Sequence, residues 1–542
     1  MAIGRDRLKR FVALFVCICC YVVAAILCLF ASSGIFPINT NDGSNFLLQA
    51  LYAAQGLTPY RDYGIVYPPG IALFFGNLLH ITDGGVFIRI VWLIACFLLG
   101  VNAFLMTRFK VGVTTRLIGS GLITLVATQP IVVLFRNHGS EPFTALLLLT
   151  LVLLSIQYIF SETRSTIRLV SLSLCSLCIT MVRWDRAFAV ACLDFAATGL
   201  VFIAAWRGFF QPQDKSKALQ LARRMGESSA AIFAGATIAL ALIAIYAISS
   251  NCWSETLWYI FRLPLQVMPY RTLPLPSFDI LEADGLWQTG IMAIIVMAGA
   301  SLYMVANAKA HSSSSFAKLG ECLLLLAAPV AMLPYAFGRS DAAHFIPLAS
   351  MIAGTLIIAC IIWNNLKVRL ALLTMLVVLF VPLSDQLVYL YSLIYNMEQN
   401  ELSPFQNGRF QKNLESSTGD CAKLIPNGTH SIFVGHTSYA HFIVSPMILY
   451  LARLDLQPAT PYIAEDPGIQ NTCEYGSNIA DDLRRAPRPM IAFLSMSQQW
   501  REPNATETMT SCNQIEKFLS ETPSSTLGYC MVGSDTMRVV VY

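Results

Sequence analysis

Asp42, Glu141, Arg183, Arg339, Asp341 and His344 are the residues whose types and positions could carry chemistry in this chain. Each stands at the edge of a long apolar run, in a sequence with only 13% charged residues. A carboxylate such as Asp42, placed at a membrane surface, can accept a proton from a bound hydroxyl. Arginines and a histidine on the same side suit an anionic phosphate, and the planar guanidinium fork suits it best. Charge at the end of an apolar helix is costly unless it faces a wet cavity or an opposite charge, which makes such residues functional candidates. For each cluster taken alone, interface anchoring or simple pairing is the alternative, as in Arg183 with Asp185 or Arg339 with Asp341. Asp42-Gly43 also reads as an ordinary turn pair.

The elements that must position these residues are membrane helices. The chain has 542 residues, 56% of them hydrophobic, and a mean hydropathy of +0.59, beyond what a water-soluble surface can carry. Eleven apolar runs begin near Phe11, Val86, Arg116, Pro142, Arg168, Ala187, Ser229, Leu286, Leu319, Phe345 and Arg369. Each lasts roughly twenty residues, enough to cross a hydrocarbon core about 30 Å thick. The fold class expected is an α-helical polytopic membrane protein. With the N-terminus in the cytoplasm, Arg5, Arg7, Lys9, Arg10, Arg108, Lys110, Arg164, Lys215 and Lys217 fall inside with most of the other Lys and Arg that precede the tail. The positive-inside rule supports that orientation. Ile71 to Ile81 is apolar but too short to span, so it reads as a juxtamembrane or re-entrant piece. Trp206 to Ser228 and Asn307 to Lys318 read as solvated basic connectors.

Residues 1–395 are therefore expected to form the transmembrane part, with a first outside loop over 34–85, and residues 396–542 a small extracytoplasmic α/β domain. Within the loop, Phe46, Leu47, Ala50, Leu51 and Ala54 recur at helical spacing, ahead of the Tyr/Pro-rich stretch holding Tyr60, Arg61, Asp62 and Tyr67-Pro68-Pro69-Gly70. In the tail, Ser431 to Val434, Met490 to Leu494 and Arg538 to Val541 read as strands, with helices over Tyr439 to Leu454 and Asn478 to Ala486. Cys421, Cys473, Cys512 and Cys530 lie in an oxidising compartment under this topology. Disulfides among them are expected in any of three pairings.

The plan resembles the GT-C superfamily of polyprenyl-phosphate-sugar glycosyltransferases, in particular the branch of lipid A aminoarabinose transferases and protein O-mannosyltransferases. In that branch an acidic residue follows the first helix, where Asp42 stands, and a Pro-Pro pair in the same loop matches Pro68-Pro69. Glu141 matches an acidic residue before the fourth helix, and Arg183 a cationic residue at the fifth outward end. The His344-Phe345-Ile346-Pro347 stretch is similar to a late aromatic-plus-Pro segment, and 432–493 looks like the α/β domain that often ends these proteins. Tyr67 takes the place of the family's usual Lys before Pro-Pro, and Asp42 lies between Asn41 and Gly43 without an Asp-Glu pair.

The resemblance implies an inverting transfer of a sugar from a polyprenyl phosphate to a glycan, lipid or protein acceptor outside the membrane. Asp42 would be the general base, Arg183, Arg339 and His344 would bind the donor phosphate, and Asp62, Glu141, Arg61, Tyr60 and Asp341 would orient the substrates. A divalent metal stays open, and no other cofactor is expected. A transporter or flippase of a lipid-linked or anionic solute, or a ligase using a lipid diphosphate, is the alternative; no internal repeat of the transporter kind is visible. There is no Gly-rich phosphate loop, zinc spacing or serine-nucleophile motif, and the basic residues belong to cytoplasmic loops rather than to a nucleic-acid surface.

Overall fold

The computed structural model describes residues 2–33, 41–65, 67–81, 84–109, 111–134, 141–161, 164–206, 212–265, 286–307, 313–338, 342–363, 365–379, 418, 420–437, 449–450, 453, 455–463, 473–496, 513–532 and 535–542. Helices dominate as far as residue 379. They are α1 (Ala2–Ser33), α2 (Asn41–Ala54), α3 (Gly70–Ile81), α4 (Gly84–Thr107), α5 (Val113–Leu134), α6 (Glu141–Ile159), α7 (Thr166–Val182), α8 (Trp184–Trp206), α9 (Pro212–Ser249), α10 (Trp253–Leu257), α11 (Leu286–Asn307), α12 (Ser313–Gly338) and α13 (Ala342–Ile362). A further helix, α14, covers 366–379. Three stretches are long and apolar enough to cross a membrane: Trp184–Ile203, Lys215–Ser249 and Phe345–Ile362. Shorter apolar stretches lie in α1, α4, α5, α6, α7, α11 and α12.

These helices mark a multi-pass membrane protein, and their surfaces say the same. On α1, Leu8, Phe11, Phe15, Ile18 and Val22 are exposed at helical spacing, while Ala13 and Ala24 are buried. Phe97 on α4, Ile245 on α9 and Leu302 on α11 are likewise exposed. Such faces need hydrocarbon as solvent, because inside a bilayer a helix satisfies its own backbone and leaves apolar side chains to meet lipid.

Two sequence expectations are corrected. The connector Trp206–Ser228 is helical from Pro212 onward, as the first part of α9. Ala218, Ala222 and Met225 recur on one face and are buried, while Arg223 pairs with Glu227 one turn on at 3.1 Å. Tyr158 donates to the same carboxylate at 2.5 Å, so this stretch is an amphipathic extension of the helix rather than a solvated linker. Asp42-Gly43 is not a turn but lies in the first turn of α2. The 12-residue α3 is a helix too short to span, as expected of a juxtamembrane piece.

The C-terminal part is a five-stranded sheet of β1 (Ser431–His436), β2 (Gln457–Pro458), β3 (Met490–Ser495), β4 (Ser525–Val532) and β5 (Asp535–Val541), in the order β2-β1-β3-β5-β4. β1 runs parallel to β2 and β3, whereas β5 runs antiparallel to β3 and β4. β1 and β3 are buried at every position, the pattern of strands covered on both faces. Helix α15 (Cys473–Arg485) buries Tyr475, Ile479, Ala480 and Leu483, one face of its turns. Together with Ile515 and Phe518 of α16 (Gln514–Glu521), Ile479 and Leu483 close a core over Phe433, Ala492 and Val540. Cys421 and Cys530 form a disulfide and Cys473 is disulfide-bonded as well, which fits an extracytoplasmic location. Cys512, the boundary between 395 and 396, and most of the expected helix Tyr439–Leu454 lie outside the described residues.

Candidate functional site

Arg183 breaks the helix it ends. Its backbone is extended at φ −147° and ψ 95°, while its N–H still donates to the Ile179 carbonyl at 2.6 Å. Trp184 then starts α8, so Arg183 and Asp185 occupy a corner between two apolar helices. Arg183 Nε donates to Asp185 Oδ1 at 3.3 Å, and Arg186 Nη1 lies 3.1 Å from Asp185 Oδ2. Arg186 is fully buried and donates to the Ala331 carbonyl of α12 at 2.9 Å, tying the two helices together. Two guanidinium groups share one carboxylate, and the trio carries a net positive charge.

An aromatic ring supports the outer arginine. The Arg183 guanidinium stands 5.0 Å from the centre of the Tyr67 ring, within range of a cation–π attraction. Tyr67 precedes Pro68-Pro69-Gly70, and Gly70 begins α3 against the last turn of α7. A Cβ on Gly70 would stand 2.5 Å from the Met181 carbonyl oxygen, so only glycine permits this approach. The start of α3 thereby lies two residues from Arg183 along α7, with the first-turn N–H groups that a helix cannot pair internally.

The stretch between α2 and α3 is locked by its own hydrogen bonds. Asp62 accepts from the Thr58 N–H at 2.7 Å and takes both Nε and Nη2 of Arg61 at 2.9 Å. Burial alone would raise the Asp62 carboxyl, but the Arg61 guanidinium and the Thr58 N–H hold it below the usual carboxylate range. Tyr60 adopts φ +73°, a conformation that costs a bulky residue on the order of 1–3 kcal/mol. Its fully buried ring packs against Tyr259 at 5.8 Å, and its hydroxyl donates to the Tyr67 carbonyl at 2.7 Å. Burial raises the Tyr60 hydroxyl far above its ordinary range, so it stays a protonated donor. Tyr63 donates to the Gln49 carbonyl of α2 at 2.9 Å.

Helix α3 is the hub. Gly76 faces α2 so closely that a Cβ would stand 2.5 Å from the Ala53 Cβ and 2.9 Å from the Ala50 carbonyl oxygen. Phe75 packs against Phe143, near the start of α6, with ring centres 6.1 Å apart. The structure thus gathers α2, the start of α6 and the end of α7 around α3. Asp42 is in the first turn of α2, Glu141 is the first residue of α6, and His344 is in the first turn of α13; their side chains are not among those described. Arg339 and Asp341 lie outside the described residues. Arg183, Tyr60, Arg61 and Asp62 are all placed, and Tyr60 connects to Arg183 through Tyr67.

The chain matches no family model and no curated protein. No group of three or more His, Cys, Asp or Glu side chains that could hold a metal is present among the described residues. Sequence reasoning missed the support of Arg183 by the Tyr67 ring and the role of Tyr259 under Tyr60. Both contacts join residues far apart in the chain, and only the density of tyrosines in the loops hinted at them.

Proposed function

We propose that this chain is an inverting glycosyltransferase with eleven spanning helices and a GT-C-like plan, which takes a sugar from a polyprenyl phosphate on the extracytoplasmic side. What supports the reading is the corner at Arg183. A guanidinium held by Asp185 and backed by the Tyr67 ring sits beside the Pro-Pro-Gly start of α3, at the outward end of apolar helices. That arrangement suits a phosphate whose lipid chain lies along the helices, a donor half anionic and half hydrocarbon. Tyr67, standing where a lysine would be expected, works there by carrying the cation of Arg183.

In the reaction the acceptor oxygen attacks the anomeric carbon from the face opposite the phosphate. The bond between that carbon and the phosphate oxygen breaks, and its electron pair leaves with the phosphate. Asp42 takes the acceptor proton, and Arg183, Arg339 and His344 neutralise the departing phosphate. Glu141 and Asp341 orient sugar and acceptor, while Tyr60, Arg61 and Asp62 give the loop its shape. A single displacement inverts the anomeric configuration.

The test uses purified protein in proteoliposomes, a panel of radiolabelled polyprenyl phosphosugars and a membrane extract as acceptor source. Wild type is expected to transfer label from one of them, and Asp42→Asn to lose transfer by at least a hundredfold with unchanged expression. Asp42→Asn protein working at the wild-type rate would refute the base assignment. Accumulation of intact donor inside the vesicles without transfer would replace the reading by transport. Comparing rates with and without a chelator decides the metal.

A further inference from the structure

The C-terminal domain is built into the first outside loop. Gly64 donates its N–H to the Pro461 carbonyl at 2.7 Å, a backbone hydrogen bond between the loop and the segment that follows β2. Gly64 also lies against Tyr259, where a Cβ would stand 2.3 Å from the phenolic oxygen. Tyr259 and Trp258 belong to a π-helical turn, Trp258–Arg262, that follows α10. From them a chain of rings runs into the domain. Tyr259 meets Tyr462 at 6.4 Å, Trp258 meets Tyr462 at 6.1 Å and Tyr475 at 5.0 Å, and Tyr462 meets Tyr475 at 6.0 Å. Tyr60, on the loop side, completes the set through Tyr259. Farther along the same junction, Tyr52 of α2 and Tyr450 of the domain are both fully buried within one continuous core.

A tethered module would meet the bundle through a polar, separable surface. This junction is aromatic and contributed by three distant segments, with Tyr259 and Tyr475 buried and Trp258 and Tyr462 half-buried. It also leads to the site: Gly64 is three residues before Tyr67, and Tyr67 is fixed at its carbonyl by Tyr60 and at its ring by Arg183. We infer that Gly64, Tyr259, Tyr462 and Tyr475 are positioning residues of a joint through which the C-terminal domain sets the conformation of the first loop, and through it the place of Arg183. The second half of this inference rests on reading the Arg183 corner as the donor site.

The full-length protein in nanodiscs tests it by amide hydrogen exchange. Replacing Tyr475 by alanine should speed exchange over Thr58–Ile65 at least tenfold while leaving β3 at its wild-type rate, and Tyr475→Phe, which keeps the ring and loses only the hydroxyl bonded to Trp258, should stay within threefold of wild type. Gly64→Ala perturbs the joint from the loop side and should loosen the same amides. Unchanged loop amides in Tyr475→Ala, or loop and β3 amides accelerating together, would overturn the joint. With the labelled polyprenyl phosphosugar that wild type accepts, Tyr475→Ala should raise KM at least fivefold more than it lowers kcat, and Tyr475→Phe should restore both. A loosened loop with unchanged KM would overturn the link to Arg183. If wild type turns over no donor, the transferase reading falls, while the exchange result still decides the joint.

Discussion

Replacing Cys421 and Cys530 together by alanine should loosen the β4–β5 hairpin without disturbing the helix bundle. The two residues are separated by 109 positions, and closing so long a loop restricts the unfolded chain by about 4.8 kcal/mol in the chain-entropy account. The domain is already restrained by the membrane at one side and by the disulfide at Cys473, so about 2–4 kcal/mol of that figure should survive. Both sulfurs belong to buried residues, and alanine leaves no unsatisfied hydroxyl there, so the comparison reports mainly on the lost closure. Amide exchange in β4 and β5 reads it directly, because each 1.4 kcal/mol is tenfold in an opening equilibrium. The expected acceleration is roughly 30- to 1,000-fold, with α9 and α12 unchanged. An acceleration below about threefold would refute the reasoning, showing that packing rather than closure holds the hairpin.

Three further outcomes are expected. Gly76→Ala should destabilise the α2–α3 packing by about 1–3 kcal/mol, seen as a lower melting temperature in detergent; Gly199→Ala, where an added Cβ meets nothing within 4 Å, should be neutral or slightly stabilising. Tyr67→Leu should raise KM for the accepted donor by about 2- to 30-fold, the worth of a cation–π contact of about 0.5–2 kcal/mol, whereas Tyr67→Phe should keep it; equal behaviour of the two would remove the ring from the site. Asp62 has its carboxyl held below the ordinary value of 3.8, so its contribution to the loop is complete above that value and is lost as pH falls through the lower folded value. Exchange at the Thr58 amide should therefore accelerate on acidification past the point where base-catalysed exchange alone predicts slowing, and Asp62→Asn should abolish the step.

Most of the apolar helices and three strands were legible because each needs only local information, whereas the short α10 and α16 carry no long apolar run. Apolar runs of membrane length have no soluble alternative, and β1 and β3, buried on both faces, read as continuous apolar segments. β4 was not legible. It is an edge strand in which only Cys530 and Val532 are buried, so Ser525–Val532 shows no clean alternation. The basic half of α9 was hidden by its charge, since Lys215, Lys217, Arg223 and Arg224 mask a buried face of three small or flexible residues. At the site, the residue types at Arg183 and Asp185 announced a pairing, and the structure contains it. The ring under Arg183, the packing of Tyr60 on Tyr259 and the crossing of Arg186 to Ala331 join segments far apart in sequence, which no window of residues records.

The hydrogen bond from Gly64 to Pro461 also sets an order of assembly. The two residues are about 400 positions apart, and at roughly 5–20 residues per second the ribosome needs about 20 to 80 s to deliver the second after the first. Throughout that interval the first loop lacks the surface that completes it, and Tyr52 lacks the part of the core that holds Tyr450. A nascent chain stopped before residue 461 would carry every apolar run and still leave Gly64 and Tyr259 without the segment that covers them.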